Sequence, residues 1–334
     1  MTTLGYIQVT RVCNQRCLFC SNPENQRLVE VDDFRTQVRD LAQSGHDGVL
    51  LTGGEPTLHP RLPELVRIAT KAGLAVRIIT NGQETARPGV LAALKRAGLR
   101  HLHVSLHSHL ASVQDRIARH PGSRARVART LRAAARLRLV TDVNIVLNAL
   151  NLPHLDRTAR WLVREFPNVR HLVFNGLDPH TNRVADNPWI VPKLDDLELP
   201  LERTLDLLHR EGRTFRVERV PLCYMGEWAH VSTETRKIVK GEGRVIHFLD
   251  EKGRYAADSF LHGKAPCCKA CTVDDVCAGL YSMDRFYGSD ELYPLFVDPE
   301  DVRRKILGGP VPAPAGRPAA TRRSGARGSR TKRS

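Results

Sequence analysis

The chain has 334 residues, 41% of them hydrophobic and 26% charged, a globular composition with room for about two domains at ~150 residues each. No apolar stretch approaches the ~18–20 residues that cross a bilayer. The start, Met1-Thr2-Thr3-Leu4-Gly5-Tyr6, lacks a basic flank and an apolar core, so no secretory signal is read and a reducing, cytoplasmic setting is expected. In that setting the eight cysteines point to metal or catalytic work rather than to disulfides. The formal net charge is +15, and the seven basic residues after Pro310, with no acid among them, supply nearly half of it.

From Gly5 to about Leu208 short apolar strands alternate with longer helical patterns, the mark of βα units around a parallel sheet. Strands are expected at Tyr6 to Thr10, Gly48 to Thr52, Ala75 to Thr80, His101 to His107, Thr141 to Asn148 and Arg170 to Asn175. Helical runs fall near Val31 to Ser44, Arg61 to Ala72, Pro88 to Ala97, Arg124 to Leu137 and Pro153 to Phe166. Period-two alternation in the fourth strand puts Leu102, Val104 and Leu106 on one face and His101, His103, Ser105 and His107 on the other. Asp142, Asn144 and Asn148 oppose Val143, Ile145 and Leu147 in the same way, as in part do Tyr6, Gln8 and Thr10 against Ile7 and Val9. A polar inner face with helices outside suggests a full or partial barrel around a wet lumen, with chemistry at the carboxyl ends of the strands. The alternative is that some of these positions face solvent at a sheet end.

Directly after the first strand stands Cys13-Asn14-Gln15-Arg16-Cys17-Leu18-Phe19-Cys20, three thiols in one loop at a C-x3-C-x2-C spacing. Three soft ligands can hold three irons of a cubane cluster and leave the fourth open; a zinc loop completed from elsewhere, or buried cysteines acting as small hydrophobes, are the alternatives. At the end of the second strand lies Thr52-Gly53-Gly54-Glu55-Pro56, where two glycines admit a close backbone approach to a ligand and Glu55 offers an acceptor for an ammonium group.

Together, in this order and at successive strand ends, the two motifs resemble the radical S-adenosylmethionine superfamily over roughly Gly5 to Leu208. The resemblance implies an α/β fold, a partial (β/α)6 TIM-like barrel, over residues 1–210. It implies a 4Fe-4S cluster on Cys13, Cys17 and Cys20, its open iron chelated by the amine and carboxylate of S-adenosylmethionine. Phe19 matches an aromatic position near the adenine; Gly53, Gly54, Glu55 and Pro56 match the segment that receives the methionine amine. Ser105 matches a strand-four position that contacts the cofactor. Asn81, Asn148 and Asn175 sit at later strand ends, as cofactor or substrate contacts or, more simply, as polar caps. The implied reaction is reductive cleavage of the sulfonium to a 5′-deoxyadenosyl radical that abstracts hydrogen, fed by an external electron donor of flavodoxin or ferredoxin type.

After Leu208 the alternation is read as stopping, and residues 211–308 as a smaller unit organised by metal rather than by a large apolar core. Cys268, Cys271 and Cys277 stand at C-x2-C-x5-C, which resembles the auxiliary-cluster SPASM and twitch domains, with Tyr281 where the longer SPASM pattern has a further cysteine. That likeness implies one auxiliary 4Fe-4S cluster with Cys223 as the fourth ligand; an all-cysteine zinc site is the alternative. Cys267 is then surplus, as an alternative ligand, a reactive thiol or, the reading preferred, a buried neighbour. The Arg-rich stretch 309–334 cannot bury enough surface to order itself and is expected to be disordered. It is a tether for nucleic acid or an acidic peptide or, the reading preferred, a solubilising extension of a chain in which Arg outnumbers Lys 41 to 10.

For acid–base work His103, His107, Asp178 and His180 are available without a partner fixed by sequence, and packing or surface placement is the simpler role. Tyr224 and Tyr281, beside auxiliary ligands, fit a packing role and a substrate role equally. The leading reading is a radical enzyme acting on a ribosomally made peptide or protein. RNA or a nucleotide-derived small molecule is the second substrate class, giving the tail and the arginines of Arg124 to Arg138 a use, and a noncatalytic iron-sulfur carrier is a third reading. No membrane partner is expected.

Overall fold

The computed structural model describes residues 4–178, 182–250, 253–257, 262–285 and 287–308. The expected α/β architecture is present. Strands β1 (Leu4–Thr10), β2 (Gly48–Gly53), β3 (Ala75–Thr80), β4 (His101–Ser105), β5 (Val140–Val146), β6 (Val169–Asn175) and β7 (Thr214–Glu218) pair in parallel and in sequence order. Connections are made by α1 (Val31–Gln43), α2 (Leu62–Lys71), α3 (Val90–Ala97), α4 (Ala111–Ala118), α5 (Ser123–Arg136), α6 (Leu155–Glu165), the short α7 (Asn182–Ala185) and α8 (Asp195–Arg210). Helices α4 and α8 were not among the expected runs.

The longer helices lay apolar stripes on the sheet, for example Phe34, Val38 and Leu41 of α1 and Val127, Leu131 and Ala134 of α5. These meet strand residues such as Leu102, Val104 and Leu106, all fully buried in the same cluster. Burial of a side chain of this size contributes about 1.5–3 kcal/mol, so the helix-facing side of the sheet carries the stability. The opposite face of β4 holds His101, His103 and Ser105, half-buried, as the alternation requires.

The carboxyl-terminal third departs from expectation. The βα alternation does not stop at Leu208: α8 leads into β7, a seventh parallel strand on β6. Beyond α9 (Thr233–Lys240), the chain reaches the other edge of the sheet, where β8 (Arg244–His247) runs parallel to β1 and β9 (Arg254–Ala257) antiparallel to β8. The sheet therefore has nine strands, ordered β7-β6-β5-β4-β3-β2-β1-β8-β9. The expected division at residue 210 thus falls inside one continuous sheet. Nor does the segment lack an apolar core, because Val220, Leu222, Val273, Val276, Leu292 and Ile306 belong to the same buried cluster as the barrel. Five-residue strands with charged alternate positions, such as Thr-Phe-Arg-Val-Glu in β7, carry too little local pattern to be read alone. A two-residue hairpin pairing, β10 (His262–Gly263) with β11 (Leu280–Tyr281), and α10 (Pro299–Leu307) complete the unit. The basic stretch 309–334 lies outside the described residues. Among those described, no helix is long and apolar enough to cross a membrane.

Candidate functional site

The cysteine loop is fixed by backbone bonds at both ends. Arg11 N donates to Arg27 O (2.8 Å) and Val29 N to Val9 O (3.0 Å), while Arg16 N and Leu18 N donate to Ala118 O and Ile117 O at the end of α4 (3.2 and 3.0 Å). Asn22, within the loop, donates through Nδ2 to Arg11 O (2.7 Å). Cys13, Cys17 and Cys20 are free, half-buried thiols. Cys20 Sγ accepts from Asn22 N (3.4 Å) and Cys13 Sγ from Asn81 Nδ2 (3.8 Å). Burial pushes the Cys13 thiol up to about 11 and the Cys17 thiol up as well, with Cys13 and Cys20 adding their repulsion to Cys17. Cys13 and Cys17 therefore hold their protons until a metal displaces them. Three thiols on one braced loop, with N–H groups aimed at the sulfurs of Cys13 and Cys20, are a donor set that suits an iron-sulfur cluster.

The Gly-Gly-Glu-Pro segment lies against this loop, in a way the motif did not show. Gly54 N donates to Thr10 O (2.6 Å) and Glu55 N to Val12 O (2.8 Å). Gly53 has φ +140°, and a Cβ there would stand 2.0 Å from Thr10 O; at Gly54 a Cβ would stand 2.3 Å from Val12 O. The close approach these glycines permit is therefore to the entry of the cysteine loop. Gly54→Ala is expected to cost about 3 kcal/mol and to shift Cys13, read as a lowered urea midpoint together with lowered iron content.

Glu55 takes hydrogen bonds from three residues. Its carboxylate, 1% exposed, accepts from Thr57 N and Thr57 Oγ1, from Thr80 Oγ1 (2.8 Å) and from Asn81 N (2.6 Å). Three of these donors fall on Oε1 and one, Asn81 N, on Oε2, so the carboxylate braces the ends of β2 and β3 while Oε2 keeps room for a further donor. Burial pushes its carboxyl above the usual range against the pull of those hydrogen bonds. Pro56 begins the turn Pro56–Leu58 that Glu55 caps.

Phe19 packs edge-on to His107, with ring centroids 5.0 Å apart, and Ser105 ends β4 opposite Asn144. Asn81 Nδ2 also donates to Asn14 Oδ1 (2.8 Å), so Asn81 joins the β3 end to the cysteine loop; Asn14 and Asn22 are the loop residues that spacing alone did not single out. Asn148 is a turn cap, accepting from Leu150 N through Oδ1 and donating through Nδ2 to Val146 O; Asn175 ends β6. His180 lies outside the described residues.

His107 is buried, its Nδ1 accepts from Val146 N (3.2 Å), and burial holds its pKa down to about 4. Between that value and the ~6.5 of an unfolded histidine the unfolded chain binds the extra proton. Its contribution is therefore present above about pH 6.5 and lost as pH falls towards 4, by about 3 kcal/mol in all. Urea midpoints of the chain and of His107→Gln, compared across this window, should show a shallower fall in the variant.

The second cysteine set is also within mutual electrostatic reach. Cys223 is raised to about 12, first by burial and then by Cys277 and Cys268; Cys268 is coupled to Cys277, and Cys277 to Cys271. Sulfur again receives backbone donors, Gly279 N to Cys277 (3.3 Å) and Leu295 N to Cys271 (3.4 Å). Cys267 donates to Leu292 O (3.3 Å) and packs on the core. Tyr224 is buried with its hydroxyl on Asp195 and Glu291 O, a packing role. Tyr281 donates to Asp178 (3.2 Å), linking β11 to the segment after β6. Two of the helical arginines pack on aromatics, Arg124 over Trp161 (4.4 Å) and Arg132 over Phe166 (5.7 Å).

The parallel α/β sheet thus carries a three-cysteine loop directly after its first strand and a glycine pair at the end of its second. Residues 7–162 match the radical SAM superfamily. A PqqA peptide cyclase of Rhodopseudomonas palustris is 35% identical over 150 residues, 44% of this chain and 40% of that protein. Streptococcus suis SuiB bound to S-adenosylmethionine superposes with TM-score 0.63 at 13% identity, covering 84% of this chain and 73% of that one. SuiB bound to its precursor peptide SuiA superposes with TM-score 0.54 at 16% identity over 65% and 49% of the two chains. The chain spans less than half the length of the cyclase it matches.

Proposed function

We propose that this protein is a radical S-adenosylmethionine enzyme that modifies a ribosomally made peptide or protein. The observation that carries the reading is the joining of the two motifs, with Gly54 and Glu55 hydrogen-bonded to the entry of the loop that holds Cys13, Cys17 and Cys20. Those three cysteines would hold a 4Fe-4S cluster, with Gly53 to Pro56, Phe19 and Ser105 around S-adenosylmethionine. When bound, these groups supply one-electron cleavage of the sulfonium and a carbon-centred radical able to take hydrogen from an unactivated C–H bond. The chain's own contribution is placement. The Asn81 and Asn22 donors orient the thiolates, Glu55 locks the loop to β3, and Phe19 with His107 offers an aromatic wall. The peptide class is supported by the cyclase likeness and by the fold shared with SuiB in its peptide complex.

The reading includes a second 4Fe-4S cluster on Cys223, Cys268, Cys271 and Cys277, closed by four thiolates and so suited to electron transfer, and an external donor of flavodoxin or ferredoxin type. Anaerobically reconstituted protein with dithionite, S-adenosylmethionine and candidate peptides should yield 5′-deoxyadenosine; none with any peptide would sink the proposal. Cys223→Ala should lower iron from about eight to about four per chain. Iron unchanged by that substitution would remove the auxiliary site.

A further inference from the structure

The inner face of the barrel holds a group of donors that the proposed chemistry does not use. His103 and Asp142 are register partners on β4 and β5, and His101 lies two residues earlier on the same face of β4. His101 Nε2 stands 2.7 Å and His103 Nδ1 3.4 Å from the same oxygen, Asp142 Oδ2. The two rings stack, centroids 4.4 Å apart and 11° from parallel, and present their edges to that carboxylate. Among the described residues this is the one group of three such donors whose ligand atoms all lie within 4.8 Å of one another.

We propose that His101, His103 and Asp142 form a binding site for a divalent transition-metal ion of the zinc type on the amino-terminal half of β4 and β5. Bonds of ~2.0–2.2 Å to imidazole and carboxylate place neighbouring donors about 3 to 3.5 Å apart, close to the separations present. Two histidines and one carboxylate on one side of an ion leave further positions open, as in facial triads. His103 also needs a partner. Its Nε2 is buried with no hydrogen bond. A proton on Nδ1 leaves the Nε2 lone pair unmet, whereas a proton on Nε2 turns the Nδ1 lone pair towards an anionic oxygen. A cation among the three atoms turns that opposed pair into two ligands. Arg77 on β3 and His171 on β6 lie within electrostatic reach of the same layer. With a single carboxylate oxygen in the group, magnesium or calcium, which require several oxygen ligands, are disfavoured, and an ion held through imidazole nitrogen is left. The ion clamps β4 to β5 below their carboxyl ends, where Ser105 and Asn144 face each other.

The test uses iron-loaded protein, stripped of loose metal with EDTA, freed of chelator and titrated with zinc. Iron and zinc are counted in the same samples. About one zinc per chain should be taken up without loss of iron, and zinc-edge absorption should show nitrogen and oxygen neighbours at ~2.0–2.2 Å without a sulfur shell at ~2.3 Å. His101→Gln and Asp142→Asn should each weaken uptake at least ~10-fold with iron content and far-UV circular dichroism unchanged. Absent uptake, a sulfur shell, or equal uptake by folded variants overturns the proposal. Where the variants fail to fold, the absorption spectrum of the unsubstituted protein decides. The outcome is independent of whether S-adenosylmethionine is cleaved.

Discussion

Changing Cys13, Cys17 and Cys20 together to Ala is expected to remove about four irons per chain and to abolish 5′-deoxyadenosine formation, lowering the rate at least ~1,000-fold, or ~4 kcal/mol of barrier. The loop's path is set by backbone bonds to Arg27, Val9, Ile117 and Ala118, none of which involves a thiol, and the three cysteines are half-buried rather than part of the packed interior. The variant should therefore keep its far-UV circular dichroism and most of its resistance to urea while losing the chemistry. If the proposed second cluster is present, its iron should survive, because Cys223, Cys268, Cys271 and Cys277 lie outside the loop. Iron and sulfide analysis, electron paramagnetic resonance with and without S-adenosylmethionine, and product chromatography check it. A variant that still cleaves S-adenosylmethionine as the parent does would show that the loop is not the site.

Glu55→Ala should damage folding and chemistry together, at a cost of about 3–5 kcal/mol. Four donors converge on the buried carboxylate, two from Thr57, one from Thr80 and one from Asn81. Alanine leaves them facing a void, and each buried donor without an acceptor costs about 1–3 kcal/mol before relaxation. Hydroxyls can turn away, but the backbone N–H groups of Thr57 and Asn81 cannot. Glu55→Gln should cost less, since its carbonyl oxygen still accepts from one backbone donor while its amide confronts the other. Asn81 carries the effect to the cysteine loop through Asn14 and Cys13, so the activity of whatever folded protein remains should also fall. Urea denaturation and product formation per mole of bound iron separate the two effects. Equal stability of Glu55→Ala and parent would exclude the bracing role.

The fold was legible where pattern is local. Six strands and five helices could be read because each spans enough residues for its period to show, as in the strict alternation of His101 to Leu106 or the apolar stripe of α5. The cysteine loop was legible for a related reason: C-x3-C-x2-C is a short-range constraint that few other roles require. Glu55 was visible as an acceptor, but its bracing of β2 and β3 was not, because a glutamate after two glycines does not announce which donors fold onto it. The pairing of Cys223 with cysteines some forty-five residues later was implied by family likeness alone, since nothing in the spacing of distant cysteines dictates convergence.

Composition, periodicity and motif spacing by themselves determined the parallel α/β class, the three-thiol loop and the glycine segment that meets it. Only the tertiary structure decided that β7, β8 and β9 extend one sheet across the expected division at residue 210, that the glycines accommodate the loop's own backbone, and that His101, His103 and Asp142 share one carboxylate oxygen. The physical reason is range. Side-chain periodicity and turn chemistry act over a few residues along the chain, whereas strand order, register and the donors around a buried charge arise between segments that only the assembled sheet brings into contact.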